Sequence, residues 1–116
     1  MLTISSISKK YHISATTIRY YESEGLIKIQ RNSLGNRTFD PKTEDVLRIL
    51  VHLHQAGLSI TEMRDYITHL NNHDYEIALL EESQLRLLKK IRELNASLKF
   101  LDFKIDYHKK KFTSHP

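Results

Sequence analysis

The feature that most constrains this fold is a run of apolar residues near the end of the chain, spaced alternately three and four residues apart. The run is Ile77, Leu80, Gln84, Leu87, Ile91, Leu94, Leu98, Leu101, Ile105, His108 and Phe112. This spacing is the a/d pattern of a coiled coil, from which only Gln84 and His108 depart in character. One long helix cannot bury the stripe alone, so the pattern predicts a partner helix, most simply from a second copy of the chain. The alternative is a helix that folds back on its own domain.

Two short helices are predicted at the start of the chain. The first spans about residues 3–10. Ser14 then caps a second helix that extends to about Glu24. Gly25 follows, at the position where a left-handed residue commonly ends a helix.

A hairpin and two further helices are predicted to follow. Residues 26–30 can pair with residues 37–39 across a loop that contains Asn and Gly, which such hairpins favour. An Asp-Pro pair begins a helix over about residues 41–56. A Ser-Ile-Thr-Glu capping box begins another over about residues 60–71.

The positive charge of the chain is concentrated in its first third. Residues 1–42 contain seven Lys and Arg against three acidic residues, whereas residues 43–116 contain eleven of each. The formal net charge of +4 therefore arises from the first segment alone. A surface that binds nucleic-acid phosphates has this character. The alternative is a solvated face that serves only solubility.

Several classes of protein are excluded or disfavoured by composition. The chain has no cysteine, which excludes disulfides, thiol redox sensing and thiolate metal sites. No apolar run approaches the roughly 20 residues that span a bilayer, and no signal peptide is evident, so we expect a cytoplasmic protein. No Gly-rich phosphate loop or nucleophile elbow is present, and the carboxylates of the last helix alternate with Lys and Arg. We therefore predict neither an enzyme nor a cofactor.

One pair of histidines has a spacing that metal ligands can adopt on a helix. His69 and His73 are four residues apart and could share a helix face beside Asp74. A helix end is expected between them at Asn71 and Asn72, and no fourth ligand is evident. We therefore interpret them as exposed histidines near a corner between helices, and predict no metal ligands.

The segment Ser14–Glu22 carries the strongest functional signal. Its polar face offers short hydroxyls, an arginine and a tyrosine, which suit base edges and phosphates in a major groove. A generic amphipathic helix rarely combines such a face with a basic hairpin directly downstream. We therefore predict that it is the second helix of a helix-turn-helix, with Arg19 as the principal contact.

This region resembles the MerR family of winged helix-turn-helix transcription regulators. The resemblance starts with Thr17-Ile18-Arg19-Tyr20-Tyr21-Glu22, followed by Gly25-Leu26-Ile27. It continues, in order over about residues 3–70, through Arg31, Gly35–Phe39, Asp45–Arg48 and Ala56–Met63. It implies a mostly α-helical fold with three parts. These are a winged helix-turn-helix DNA-binding domain with a small two-stranded wing (residues 1–73), a dimerisation helix that forms an antiparallel coiled coil (74–112), and a tail (113–116).

The resemblance also implies site residues. Arg19, Tyr20 and Tyr21 would contact the major groove, while Arg37 would hold the DNA backbone from the wing. By its spacing from Ile18, Tyr21 could equally be a core residue. The predicted DNA-binding residues are Ser14, Thr16, Thr17, Arg19, Tyr20, Tyr21, Lys28, Arg31, Asn36 and Arg37. The predicted dimerisation residues are Leu80, Leu87, Ile91, Leu94, Leu98, Leu101 and Ile105.

The function implied by the resemblance is that of a promoter-binding regulator. A homodimer would bind an inverted repeat inside an overlong promoter spacer and would bend and untwist it, so that RNA polymerase meets a changed DNA shape. The second hypothesis is an architectural or excisionase-like accessory DNA-binding protein, since the same winged module occurs there. The absence of an effector-binding domain after the coiled coil keeps this hypothesis open.

Two residues depart from the family pattern. His12 occupies the turn position that is usually glycine, so we expect a strained or differently shaped turn. Asn36 replaces the aromatic residue that is common before the wing arginine.

Overall fold

The computed structural model describes residues 2–113, in which five helices and three short strands are found. In chain order they are β1 (Leu2–Thr3), α1 (Ile4–Tyr11), α2 (Ala15–Ser23), β2 (Gln30–Arg31), β3 (Arg37–Phe39), α3 (Pro41–Gln55), α4 (Ile60–Thr68) and α5 (His73–Thr113). The chain divides into two compact units, residues 1–79 and 80–116. The mostly helical architecture, with a small wing and a long last helix, is the predicted one. Apart from the end of α5 at Thr113, the predicted tail lies outside the described residues.

Four helices begin at side-chain caps, which satisfy backbone N–H groups that have no partner within the helix. The capping oxygens belong to Thr3, Ser14, Asp40 and Ser59. Ser59 accepts from the Glu62 amide at 3.1 Å, and the Glu62 carboxylate accepts from the Ser59 amide at 3.0 Å. The predicted capping box is therefore confirmed, and with it the start of α4.

The turn between α1 and α2 passes through a left-handed residue. His12 has φ 53° and ψ 44°, and the Ile13 amide donates to the Ser8 carbonyl at 3.1 Å. The Ser8 hydroxyl in turn donates to the Ile13 carbonyl at 2.5 Å. The turn thus keeps the geometry that glycine would adopt, at the cost of placing a Cβ in a disfavoured region.

The sheet has one strand more than predicted. Strands β2 and β3 form the expected antiparallel wing, with Arg31 opposite Arg37. The extra strand, β1, pairs antiparallel with the other edge of β3, with Leu2 opposite Phe39. A two-residue strand is too short to show an alternating sequence pattern, so only the tertiary pairing reveals it.

The predicted first wing strand is much shorter than expected. Of residues 26–30, only Gln30 belongs to β2. Leu26, Ile27 and Ile29 are instead buried in the core, in a segment that belongs to neither helix nor strand. Their apolar character is explained by packing and not by strand pairing.

One hydrophobic core holds the first unit together. Its fully or nearly fully buried members are Ile7, Ile18, Tyr21, Leu26, Ile27, Ile29, Phe39, Leu47, Leu50, Val51, Leu53, Leu58 and Met63. They come from α1 to α4, the wing and the segments between them. Because α4 ends at Thr68, earlier than predicted, Leu70 lies outside its apolar face and is exposed.

The second unit consists of α5 from Leu80 onward. Its apolar side chains are largely exposed, as are three aromatic residues on other faces: Phe100, Phe103 and Tyr107. Within residues 2–113, no helix has both the length and the apolar content to cross a membrane.

Candidate nucleic-acid interface

Helix α2 has a buried face and a solvent-facing polar face. Ile18 and Tyr21 are fully buried, which fixes the rotation of the helix about its axis. Thr16, Arg19 and Tyr20 consequently lie on the exposed side. This is the arrangement that a helix needs to enter a major groove while its other face remains in the core.

The start of α2 is set by two of the predicted site residues. The Ser14 hydroxyl accepts from the Thr17 amide at 3.1 Å and lies 2.8 Å from the Thr17 hydroxyl. Ser14 is exposed and Thr17 is half-buried. Both hydroxyls therefore serve the helix cap, while the Thr16 side chain is exposed.

A basic cleft lies beside α2, between the start of α1 and the wing. Its volume is about 470 Å³, and its lining residues are Thr3, Ile4, Ser5, Arg19, Arg31, Asn32, Gly35, Asn36 and Arg37. Four predicted site residues, Arg19, Arg31, Asn36 and Arg37, therefore meet in one place. Guanidinium groups present several fixed N–H donors and suit phosphate oxygens.

Glu22 lies next to two of these arginines. Its Oε1 accepts from Arg37 Nε at 2.9 Å, and lies 2.9 Å from Arg37 Nη2 and 3.6 Å from Arg31 Nη2. Arg31 also donates through Nη1 to the Gly35 carbonyl at 3.1 Å. The carboxylate is on α2 and the arginines are on the wing, so this network joins the two elements.

The wing tip is a compact loop closed by Asn32. The Asn32 side-chain oxygen accepts from the amides of Leu34 at 2.9 Å and Asn36 at 3.0 Å. The Asn32 amide donates to the Asn36 carbonyl at 2.9 Å, and Gly35 supplies the positive φ of 80°. The loop thus holds Asn36 and Arg37 in place although Asn36 replaces the usual aromatic residue.

Tyr21 differs from the other predicted site residues because its side chain is fully buried. Its hydroxyl lies 2.9 Å from His54 Nδ1, and the two rings meet edge to face. Burial raises the pKa of the Tyr21 phenol above its ordinary value. Of the two roles considered from the sequence, the structure favours that of a core residue, which leaves no exposed surface for DNA.

Lys28 is not part of the basic cleft. It is exposed and lines a separate groove with Gln30, Asp40 and Lys42, over an apolar floor that includes Val46. The structure therefore places this predicted contact apart from the four residues that converge.

Sequence reasoning missed Thr3, Ser5, Asn32 and Glu22. Thr3 and Ser5 reach the cleft because β1 pairs with β3, a contact between residues more than thirty positions apart. No local pattern signals that pairing. The negative charge of Glu22 does not suggest a surface for phosphates, and only its contacts with the wing arginines reveal its place.

The predicted dimerisation residues lie on α5. Leu87 is half-buried, and Leu80, Ile91, Leu94, Leu98, Leu101 and Ile105 are 39% to 60% exposed. A solvent-exposed apolar stripe of this length commonly marks an interaction site.

The two histidines of the candidate metal pair, His69 and His73, lie in different surroundings. His69 ends α4, where its ring stacks on Tyr75 with centroids 3.9 Å apart and its Nδ1 lies 2.7 Å from the Asp65 carbonyl. His73 begins α5 and its side chain is 86% exposed. Across residues 2–113, no group of three or more His, Asp or Glu side chains is arranged to hold a metal ion.

The sequence of the first unit matches a known family. Residues 2–70 fit the profile of the MerR HTH family regulatory proteins. An uncharacterised HTH-type transcriptional regulator of Haemophilus influenzae is 32% identical over 113 residues, which cover 93% of this chain and 84% of that protein. The HTH-type transcriptional regulator AdhR of Bacillus subtilis is 31% identical over 76% of this chain and 66% of its own length.

Solved structures share the fold over almost the whole chain. The crystal structure of HiNmlR, a MerR family regulator lacking the sensor domain and bound to promoter DNA, has a TM-score of 0.83. It is 27% identical, and the alignment covers 99% of this chain and 96% of that one. A putative MerR family transcriptional regulator from Listeria monocytogenes has a TM-score of 0.76 and 34% identity, over 99% of this chain and 88% of that chain.

Proposed function

This chain belongs to the MerR family of helix-turn-helix regulators and is a DNA-binding transcription regulator, and from that premise we propose that it acts as a homodimer on promoter DNA. Each protomer would hold one half of an inverted repeat. Helix α2 would enter the major groove, and the wing would lie against the neighbouring backbone.

The basic cleft is the observation that carries this proposal. It combines Arg19 of the recognition helix with Arg31 and Arg37 of the wing. Glu22 neutralises part of this charge, so the cleft retains a net positive charge beside an exposed polar helix face. Its chemistry suits a phosphate at the edge of the major groove, where it would set the register of α2 against the bases.

The Arg, Thr and Tyr side chains of α2 would make the contacts that distinguish one sequence from another. Arg19 is exposed on the same face as Thr16 and Tyr20. Arginine forms paired hydrogen bonds with guanine, and a threonine methyl packs on the methyl group of thymine. The direct contacts to bases are therefore expected from α2 and the contacts to phosphates from the cleft.

The exposed stripe of α5 supports dimerisation through this helix. A coiled coil with a second copy would bury the side chains from Leu80 to Ile105 that are otherwise in water. DNA with two half-sites related by a twofold axis requires a protein with the same symmetry.

The charge distribution along α5 favours an antiparallel pair. Residues 73–84 contain four acidic residues and no Lys or Arg, whereas residues 99–113 contain five lysines against two aspartates. A parallel pair would place like charges side by side at both ends. An antiparallel pair brings each acidic end beside a basic end, which lowers the electrostatic energy.

The effect on transcription would follow from DNA shape. A dimer that holds two half-sites on a promoter spacer can bend and untwist the DNA between them, which changes how RNA polymerase meets its two recognition elements. HiNmlR was crystallised on promoter DNA, which supports the same target here. As a regulator of promoter DNA, the protein would act in the cytoplasm. We propose no enzymatic activity, because the cleft offers donors for an anion and the named relatives are transcription regulators.

The decisive experiment is a DNA footprint of the purified protein on the region upstream of its own gene, at physiological salt. We expect protection on both sides of an inverted repeat within a promoter spacer, with altered reactivity at its centre. DNA with one half-site scrambled is the matched control. Diffuse, salt-sensitive protection without a preferred site would overturn the proposal in favour of an accessory DNA-binding protein, because phosphate contacts alone do not select a sequence.

A further inference from the structure

An acidic side chain lies in the part of the surface that the proposed function assigns to DNA. Glu22 is near the end of α2, and its side chain is 22% exposed. Considered by charge alone, it should weaken DNA binding, since it adds a negative charge close to the phosphates. Its contacts indicate a different role.

The Glu22 carboxylate connects the recognition helix to both wing strands. One oxygen accepts a hydrogen bond from Arg37 Nε of β3 at 2.9 Å, lies 2.9 Å from Arg37 Nη2 in the same ion pair, and lies 3.6 Å from Arg31 of β2. Arg37 is itself only 19% exposed, so this pair is shielded from water on most sides. A guanidinium has five N–H donors, and Arg37, which lines the cleft, donates one of them to Glu22.

The same oxygen also keeps two like charges together. Arg31 and Arg37 are opposite each other in the β2–β3 ladder. Without an acid between them, their guanidinium groups would repel and turn away from each other, and Arg37 would be left as a poorly hydrated, unpaired charge. The wing would then lose its fixed position relative to α2.

Glu22 repels DNA phosphates, which lowers DNA affinity, and it orders the two arginines, which raises DNA affinity. The distance over which each effect acts decides which one is larger. Repulsion between Glu22 and DNA phosphates acts across solvent, where salt screens it over a length of about 10 Å. The contacts with Arg37 are direct and largely enclosed, so they are screened much less. The gain from an ordered pair of arginines should therefore exceed the loss from one added negative charge.

We propose that Glu22 is a positioning residue for the DNA-binding surface, which holds Arg31 and Arg37 in the orientation that receives a backbone phosphate. The inference rests on the proposed function. Glu22 itself makes no contact with DNA, and it acts through the two arginines. It increases specific binding although it carries the wrong charge for DNA.

The test compares Glu22→Ala and Glu22→Gln with a matched control, Glu24→Gln. Glu24 lies two residues further along, at the C-cap of α2, and is also paired with an arginine, Arg64 of α4, at 3.0 Å. All three changes remove one negative charge from the same end of the helix. Only the changes at position 22 disturb the wing arginines.

Affinity for the operator and for an unrelated duplex would be measured by fluorescence anisotropy at several salt concentrations. We expect Glu22→Ala to bind the operator about tenfold more weakly, while its affinity for unrelated DNA is equal or higher. Glu22→Gln, whose amide oxygen still accepts a hydrogen bond, should fall between it and the wild type. Glu24→Gln should bind the operator as tightly as the wild type, or more tightly.

A double-mutant cycle with Arg37→Gln separates positioning from a general structural effect. If Glu22 acts through Arg37, Glu22→Gln should have little further effect in the Arg37→Gln background, and thermal unfolding should show that each variant is folded. Operator binding by Glu22→Gln and Glu22→Ala that equals or exceeds that of the wild type would overturn the inference. So would fully additive losses in the cycle. A wild-type protein that selects no operator would overturn the proposed function itself.

Discussion

At the scale of single residues, two left-handed positions shape the recognition segment. His12 precedes α2 with φ 53°, and Gly25 follows it with φ 73°. A residue with a Cβ in this region costs about 1–2 kcal/mol relative to its preferred conformations. A Cβ added at Gly25 would meet no heavy atom within 4 Å, so only the strain of the left-handed backbone would oppose a substitution there.

Replacing His12 with glycine should raise the free energy of unfolding by up to about 1 kcal/mol. Relief of the left-handed strain is partly offset by the greater freedom of glycine in the unfolded chain, which costs about 0.5–1 kcal/mol. Urea denaturation measures the difference. The converse change, Gly25→Ala, should lower stability by about 1 kcal/mol. Loss of stability in His12→Gly would show instead that the histidine ring makes stabilising contacts.

Tyr21 should make the stability of the protein depend on alkaline pH. Burial raises its folded pKa above the ordinary value of 10.0, so the unfolded chain ionises first. The stability linked to this group is complete below about pH 10 and is lost as the pH rises through the folded pKa. The free energy of unfolding of Tyr21→Phe should therefore fall less steeply above pH 10 than that of the wild type. Denaturation at a series of pH values measures this difference.

The free energy of unfolding of Tyr21→Phe should still fall at alkaline pH, because other tyrosines also have raised pKa values. The pKa of Tyr11 is also raised, mainly by its hydrogen bond to Glu44, and the pKa of Tyr66 is raised mainly by burial. At neutral pH the free energy of unfolding of Tyr21→Phe should be about 1 kcal/mol lower than that of the wild type, because His54 loses a hydrogen-bond partner. An alkaline decline as steep as in the wild type would contradict the assignment.

At the scale of elements, the proposed DNA-facing surface depends on three short pieces of structure that are held at fixed positions. Helix α2 is set by its Ser14 cap and its buried face, and the wing is set by the Asn32 loop. Strand β1 brings the start of α1 against the wing through β3. The contacts of Glu22 with the wing arginines then join α2 to this sheet.

Arg19→Ala should weaken operator binding by about 1–3 kcal/mol without lowering stability, because the side chain is exposed and lines the cleft. Binding would be measured against single-base variants of the operator and across salt concentrations. A base contact relaxes specificity at one position, whereas a phosphate contact lowers the salt slope by about one. Arg48→Ala removes an exposed arginine of α3 and is the control. Operator binding equal to that of the wild type would show that α2 is misassigned.

At the scale of the whole molecule, the proposed assembly depends on the exposed stripe of α5. Its side chains between Leu80 and Ile105 are apolar where a solvated helix would be polar. In the proposed dimer, a second copy of the chain would cover the stripe with the same residues and would supply the twofold symmetry of an inverted repeat. Dimerisation and specific DNA binding should therefore be lost together.

Leu94→Asp, at the middle of the stripe, should dissociate the dimer and abolish tight operator binding. A charge at this position would have to be buried without a partner. Sedimentation and anisotropy measure the two effects on one sample. Phe103→Asp is the control, because nine residues place it half a turn out of phase with Leu94, on the opposite face of the same helix. A monomeric wild-type protein, or a Leu94→Asp variant that remains dimeric, would contradict the proposed assembly.

Much of this protein could be predicted from its sequence because the relevant signals are local. Caps at Ser14, Asp40 and Ser59 lie within a few residues of the amides they bind, and the glycines at positions 25 and 57 follow the helices they end. The stripe on α5 is a repeat along one helix. Period and capping chemistry were therefore enough to predict the helices and the long last element, and the family motif indicated the recognition segment.

The tertiary structure decided what depends on contacts between distant residues. Only the pairing of β1 with β3 brings Thr3 and Ser5 to the cleft, and only packing decides between the two roles that the sequence left open for Tyr21. The role of Glu22 depends on arginines nine and fifteen positions away in the chain. Such contacts follow from how the elements pack and not from local spacing, so only the folded chain reveals that this acidic residue lies against the two arginines of the wing.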